Sequence, residues 1–225
     1  HRTLRRGLAL IKVLAALFSF QSAAFAAKAT PAPTLGPANS EGPVYDPEHP
    51  EELQANQLYA EAAILIDADS GKVLFEKEAD AKMYPASTTK ILTALVAIKN
   101  SSLDDVVTVS SAGAASSFSW DASIAGLQTG DQLTLRDLLY GLMLPSGNDS
   151  AVAIAEYVGG TEENFMEMGN EEAQSLMATG THFVTPNGLH DEDHYTTAYD
   201  MYLIFNEAVK YDEFVEIISA DSYTA

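Results

Sequence analysis

Apolar and polar positions first fall into a regular pattern near Ala62. Ala63-Ile64-Leu65-Ile66-Asp67 is a short apolar run rich in β-branched residues, Asp69-Ser70-Gly71 is a turn, and Lys72-Val73-Leu74-Phe75-Glu76 is a second run. Two such runs about a short turn predict a β-hairpin. The first run has apolar residues at successive positions, so its strand is expected to be buried on both faces. After Pro85 the period changes from two to nearly four. Ile91, Leu92, Leu95, Val96 and Ile98 recur at helical spacing, which predicts a helix from Ser87 to Lys99.

Residues 100–132 are mixed, with a strand candidate at Val106-Val107-Thr108-Val109 and a turn at Gly130-Asp131. Thr134 is a helix cap, with Asp137 three residues on as its capping-box partner. That helix is expected to stop before Pro145, whose ring lacks an N–H and disfavours the helical conformation for the residue preceding it. Ser146-Gly147-Asn148 then makes a loop, Asp149 to Val158 a helix ended by Gly159-Gly160, and Thr161 to Met177 another helix. Pro186-Asn187-Gly188 is a turn, and Thr196 or Thr197 caps a helix over Ala198 to Val209. One hairpin followed by many helices reads as an α/β fold of the α+β kind. A two-stranded hairpin does not stand alone, so its sheet needs further strands, which this chain scarcely supplies.

The first 56 residues follow a different logic. Arg2, Arg5 and Arg6 precede a mostly apolar stretch from Leu8 to Phe20, broken by Lys12 and followed by Ala24-Phe25-Ala26. A basic start, a short apolar run and small residues at the two positions a signal peptidase reads predict a cleaved export signal over residues 1–26. The stretch is too short and interrupted to predict a membrane helix. Residues 27–56 hold six of the nine prolines and no hydrophobic period, which predicts a flexible tether. The ordered domain is then expected over residues 57–225.

Composition narrows the chemistry. The 225 residues include no cysteine, which excludes disulfides, thiol catalysis and cysteine-ligated metals. The formal net charge of −20 repels phosphate backbones and anionic lipid, so neither nucleic acid nor a membrane surface is an expected partner. His190 and His194 stand four apart among Asp191, Glu192 and Asp193. The turn just before them argues against a helical register, so this spacing does not predict a metal site, and loop-organising hydrogen bonds are expected instead.

The strongest chemical candidates are Ser87 and Lys90. A serine and a lysine three apart at a helix start share one face. The serine needs an adjacent base, and a lysine serves when burial destabilises its ammonium form. Lys90 is followed by Ile91-Leu92 in the most apolar predicted helix. The helix N-terminus adds a potential that favours an oxyanion near Ser87. Taken alone the pattern is weak, since average usage gives about one chance Ser-x-x-Lys in a chain this long. Ser146-Gly147-Asn148 is rarer, about one chance match in twenty such chains, and leaves an apolar helix at a fixed point. A hydroxyl and an amide there would face a site from a second direction.

These segments together resemble the low-molecular-mass penicillin-binding family of serine D-alanyl-D-alanine carboxypeptidases. The resemblance covers roughly residues 60–220. It runs through the Ala62–Leu74 hairpin, Tyr84-Pro85-Ala86-Ser87-Thr88-Thr89-Lys90, Arg136 to Asp149, Pro186-Asn187-Gly188-Leu189-His190 and His194 to Met201. Glycine at position 147, rather than aspartate, favours the carboxypeptidases over class A β-lactamases. The resemblance implies a β-lactamase/transpeptidase-like fold, with an antiparallel sheet flanked by a helical region. Ser87 would attack the peptide bond between the terminal D-alanines of a peptidoglycan stem peptide, with Lys90 as base. Ser146 would relay a proton to the leaving amine, and Asn148 would orient Lys90 and bind substrate. β-Lactam antibiotics would acylate Ser87. No cofactor is implied.

The family's third motif, lysine-threonine-glycine, does not occur: Ala178-Thr179-Gly180 lacks the cation, and Lys210 is the only lysine or arginine after Arg136. The resemblance implies this motif, the remaining sheet strands and any C-terminal membrane anchor beyond Ala225, so truncation is the expected explanation. Residues 27–225 alone are then expected to fold poorly and hydrolyse nothing, since one missing oxyanion donor already costs ~10²–10³ in rate. The alternatives left open are a β-lactamase or D,D-endopeptidase on the same scaffold and a non-catalytic cell-wall-binding relative.

Overall fold

A computed structural model describes residues 58–225. The expected export signal over 1–26 and tether over 27–56 lie outside the described residues. The described chain falls into two compact units, one ending at Glu78 and one running from Ala79 to Ala225.

The first unit holds the predicted hairpin. Strands β1 (Ala63–Ile66) and β2 (Val73–Lys77) pair antiparallel, Ala63 opposite Lys77 and Leu65 opposite Phe75, with a register shift between Leu65 and Ile66. Asp67 sets the turn. Its carboxylate accepts from the Ser70 N–H at 2.7 Å and the Ser70 hydroxyl at 2.6 Å, and Gly71 takes the positive φ of 70° that closes it. Ala63, Ile64 and Ile66 are buried and Leu65 half-buried, so burial reaches both faces of β1 as its unbroken apolar run predicts.

The second unit is mainly helical. It contains α1 (Lys90–Asn100), β3 (Val106–Thr108), β4 (Gln132–Thr134), α2 (Leu135–Met143), α3 (Asn148–Gly159), α4 (Glu162–Ser175), α5 (Ala198–Ala208) and α6 (Asp212–Ile218). Helix α1 packs against α2, α3, α4, α5 and α6. It is enclosed on most sides, and Leu92, Ala94, Leu95, Val96 and Ala97 are all buried. Burial of each larger side chain among these contributes about 1.5–3 kcal/mol. Around them lie Leu135, Leu138, Leu139, Leu142, Ile154, Phe165, Phe183, Met201 and Phe214.

Local signals set several boundaries. Thr134 caps α2 through the Asp137 N–H, and the Asp137 carboxylate accepts from the Thr134 N–H in return, completing the capping box. Thr161 caps α4 and Thr197 caps α5, each side chain accepting an amide in the first turn. β4 and α6 are not among the elements that the sequence pattern predicts. β4, which begins at the last residue of the mixed 100–132 region, is a strand only because Leu133 pairs with Val107 of β3. α6 follows the predicted end of α5 and buries Phe214 and Ile217. Among the described residues the strands form two separate antiparallel pairs, β1-β2 and β3-β4.

Candidate active site

Ser87 does not open an α-helix. Pro85 leads into a 3₁₀ turn over Ala86–Thr89, and α1 begins at Lys90. Side chains three apart eclipse one another in a 3₁₀ turn, so the arrangement still sets Ser87 and Lys90 side by side. Lys90 Nζ donates to Ser87 Oγ at 3.2 Å. Ser87 is exposed, whereas Lys90 is 2% exposed. The hydroxyl thus faces solvent and the amine stands behind it. Ala86, just before the serine, is held at a φ of 48°, a conformation that costs an L-residue of order 1 kcal/mol and needs outside support.

A second wall comes from the junction of α2 and α3. After Pro145, Ser146 adopts a φ of 59° and Gly147 caps α3. Asn148, in the first turn of α3, accepts from Lys90 Nζ at 2.8 Å through Oδ1. Gly147 is sterically required: a Cβ there would stand 2.6 Å from the Gly141 carbonyl oxygen and 2.8 Å from the Asp149 carboxylate. An aspartate has no space at this position. Asp149, fully buried, accepts from the N–H groups of Ala125, Gly126, Leu127 and Ser150 at 2.8–3.0 Å. The Asn148 N–H donates to the Ser123 carbonyl at 2.9 Å. These bonds fix the loop over 123–127 against the start of α3. Ser146 is half-buried two residues before Asn148, and its hydroxyl makes no hydrogen bond among the described residues.

The third wall is the turn Pro186-Asn187-Gly188. Lys90 Nζ donates to the Asn187 carbonyl at 2.8 Å. Thr93, one turn further along α1, donates to the Pro186 carbonyl at 2.6 Å. Gly188, at a φ of 83°, lies so close to the Ala86 carbonyl that an added Cβ would stand 1.8 Å from its oxygen. This contact braces the strained Ala86 and with it the Ser87 turn.

Lys90 Nζ therefore meets three acceptors. Burial pushes its ammonium down to about 8, against the opposing pull of the Asp149 carboxylate. A neutral amine there keeps two donated bonds, to Asn148 Oδ1 and the Asn187 carbonyl, and turns its lone pair to Ser87 Oγ. That is the geometry of a general base beside a nucleophile.

His190 and His194 sit in different surroundings. His190 is exposed and packs edge-on to Tyr84 at 4.7 Å between ring centroids. His194 is buried and hydrogen-bonded through both ring nitrogens, to Thr89 Oγ1 and to the N–H groups of Val184 and Thr185.

Residues 49–225 match the family described as D-alanyl-D-alanine carboxypeptidase, peptidase S11. The chain belongs to this family. Among curated relatives, D-alanyl-D-alanine carboxypeptidase DacF of Bacillus subtilis is 37% identical over 158 residues, and DacC of Escherichia coli 40% identical over 159 residues. Each alignment covers 68% of this chain and 40% of the relative, so the chain matches well under half the length of either. Among solved structures, penicillin binding protein 6B of Escherichia coli superposes with a TM-score of 0.68 at 32% identity, covering 72% of this chain and 54% of that one. A mutant of the Streptomyces K15 DD-transpeptidase superposes with a TM-score of 0.71 at 35% identity, covering 75% and 68%. The α+β chain of this carboxypeptidase-family member therefore has the transpeptidase type of fold, represented in part. No helix among the described residues is long and apolar enough to cross a membrane.

Sequence reading alone missed three contributors in this family member. The Asn187 carbonyl is a backbone group, and only the turn signal at 186–188 marks its place. Gly188 was legible as a turn residue but not as a brace for Ala86. Asp149 reads as an ordinary acidic residue in a first helical turn, and its four amide partners lie mostly more than twenty positions earlier.

Proposed function

We propose that this protein is a serine D-alanyl-D-alanine carboxypeptidase in which Ser87 is the nucleophile and Lys90 its base. The observation that carries the reading is the buried Lys90 amine, bonded at once to Ser87 Oγ, Asn148 Oδ1 and the Asn187 carbonyl. In the forward step Ser87 Oγ attacks the carbonyl carbon of the peptide bond between two terminal D-alanines. Its proton passes to Lys90 Nζ. The carbon–nitrogen bond breaks, a proton reaches the leaving amine through Ser146, and D-alanine departs from the acyl-enzyme. Water, deprotonated in turn, releases the shortened stem peptide and restores the serine. The Ser87 N–H lies in a first turn, where helical amides lack an intrahelical partner, and suits one half of an oxyanion hole. Asn148 orients Lys90 and hydrogen-bonds the substrate.

The strained amide of a β-lactam imitates the same peptide bond, so penicillins acylate Ser87. A stem peptide in the cell wall requires export, and the basic and apolar start ending at Ala24-Phe25-Ala26 supports an extracytoplasmic location.

The test is labelling with a fluorescent penicillin of the protein as produced from its own gene, beside its Ser87→Ala variant. We expect a stable label on the wild type and none on the variant. An unlabelled wild type, or equal labelling of both, contradicts the reading.

A further inference from the structure

His194 has no part in the reaction just described, yet its buried ring makes three hydrogen bonds beneath it. The segment 184–188 lies along one face of the Ser87 turn and α1. Gly188 packs on Ala86, the Asn187 carbonyl accepts from Lys90, and the Pro186 carbonyl accepts from Thr93. The spacing 86, 90, 93 is one helical stripe. Thr89 belongs to that stripe, and its hydroxyl stands 2.8 Å from His194 Nε2.

On the other side of the ring, Nδ1 is approached by two backbone donors, the Val184 N–H at 2.9 Å and the Thr185 N–H at 3.2 Å. Nδ1 must therefore be the acceptor. The neutral ring then carries its proton on Nε2 and donates it to Thr89 Oγ1. His194 is 1% exposed and packs edge-on to Phe183 at 5.4 Å. Burial pushes it down to about 4, opposed by the Asp191 carboxylate and reinforced by His182 and His190, so the ring stays neutral near pH 7.

We propose that His194 is a positioning residue: its imidazole ties the Ser87 turn, through Thr89, to the 184–188 segment whose Asn187 carbonyl holds Lys90. Two donors enter the ring from the segment and one leaves it to the turn, so both sides are held at fixed spacing. Without the tie, the segment and the turn separate and water reaches Lys90. The groups that then set Lys90 are the same Asp149 carboxylate, Asn148 amide and Ser87 hydroxyl, in a wetter site. The proposal's bearing on catalysis rests on the carboxypeptidase reading, but its effect on Lys90 does not.

The test follows the Lys90 amine directly, by NMR titration of its side-chain Cε and Nζ signals in the labelled protein as produced from its own gene. Thr89→Val removes the hydroxyl at nearly constant shape. His194→Asn keeps an acceptor for the Val184 and Thr185 amides but is too short to reach Thr89. Thr89→Ser restores the hydroxyl.

We expect the Lys90 midpoint to rise by about 0.5 to 1 pH unit in Thr89→Val and in His194→Asn, leaving roughly three- to tenfold less neutral amine at pH 7. The double variant should shift no further than either single, because both break one connection. Thr89→Ser should titrate as the wild type does. A midpoint that stays put or falls in Thr89→Val, while that variant remains folded, overturns the proposal. Penicillin labelling of the same samples separates the two claims. An unlabelled wild type whose Lys90 midpoint still rises in the variants contradicts the carboxypeptidase reading and leaves the role of His194 standing.

Discussion

Lys90 joins burial to chemistry at the scale of one side chain. An exposed lysine is almost wholly protonated at neutral pH and has no lone pair to offer. Burial lowers Lys90 to about 8, so roughly a tenth of it is neutral at pH 7. In the proposed reading the neutral form is the base, so acylation of Ser87 by a β-lactam should quicken as pH rises through about 8 and level off above it. Stopped-flow acylation across pH 6–10 measures this, and a rate falling through that window contradicts it. Lys90→Arg puts a permanently charged group in the same place, and acylation should drop by about 10²–10⁴. Ser87 and Lys90 could be singled out from the sequence because their relation is local, three positions along one turn. The acceptors that hold Lys90 divide on the same ground. Asn148 has a side chain that can be named, whereas the Asn187 contribution is a carbonyl oxygen that every residue possesses.

At the scale of elements, the site stands where three chain segments converge on the start of α1. Gly188 is the tightest of these contacts. Gly188→Ala adds a methyl 1.8 Å from the Ala86 oxygen at a φ that already disfavours it. We expect it to abolish penicillin labelling and to destabilise the fold by more than about 1 kcal/mol, read from the denaturant midpoint. A labelled, equally stable variant would show that the turn does not brace Ser87. The helix start at Thr134 was legible, and that of α5 to within Thr196 or Thr197, because a capping side chain sits beside the amide it serves; the structure uses Thr197. β4 was not, because three residues with one apolar position carry no period, and only β3 makes them a strand. α6 escaped for a related reason: its start has no capping side chain, and its seven residues bury only Phe214 and Ile217. The 3₁₀ turn at Ala86–Thr89 was also hidden, since it answers to the Gly188 contact a hundred positions away.

At the scale of the whole molecule, acid should loosen the fold partly through His194. Its folded value near 4 lies below the ordinary 6.5, so between those values the unfolded chain binds the extra proton. The stability it contributes is present above about pH 6.5 and is lost as pH falls toward 4, on the order of 3 kcal/mol in all. Urea unfolding across that window should show a shallower acid-side loss for His194→Asn than for the wild type, and parallel curves would contradict this. The charge of −20 and the lack of cysteine were read directly from composition, and the family was legible from motifs in order along the chain. The central claim is that Ser87 becomes acylated because Lys90 lies buried and bonded behind it. It is tested most directly by peptide mapping with mass spectrometry after incubating the natively expressed protein with benzylpenicillin. The account predicts one penicilloyl group, carried on the Ser87 hydroxyl. An adduct on another residue, or none, contradicts it.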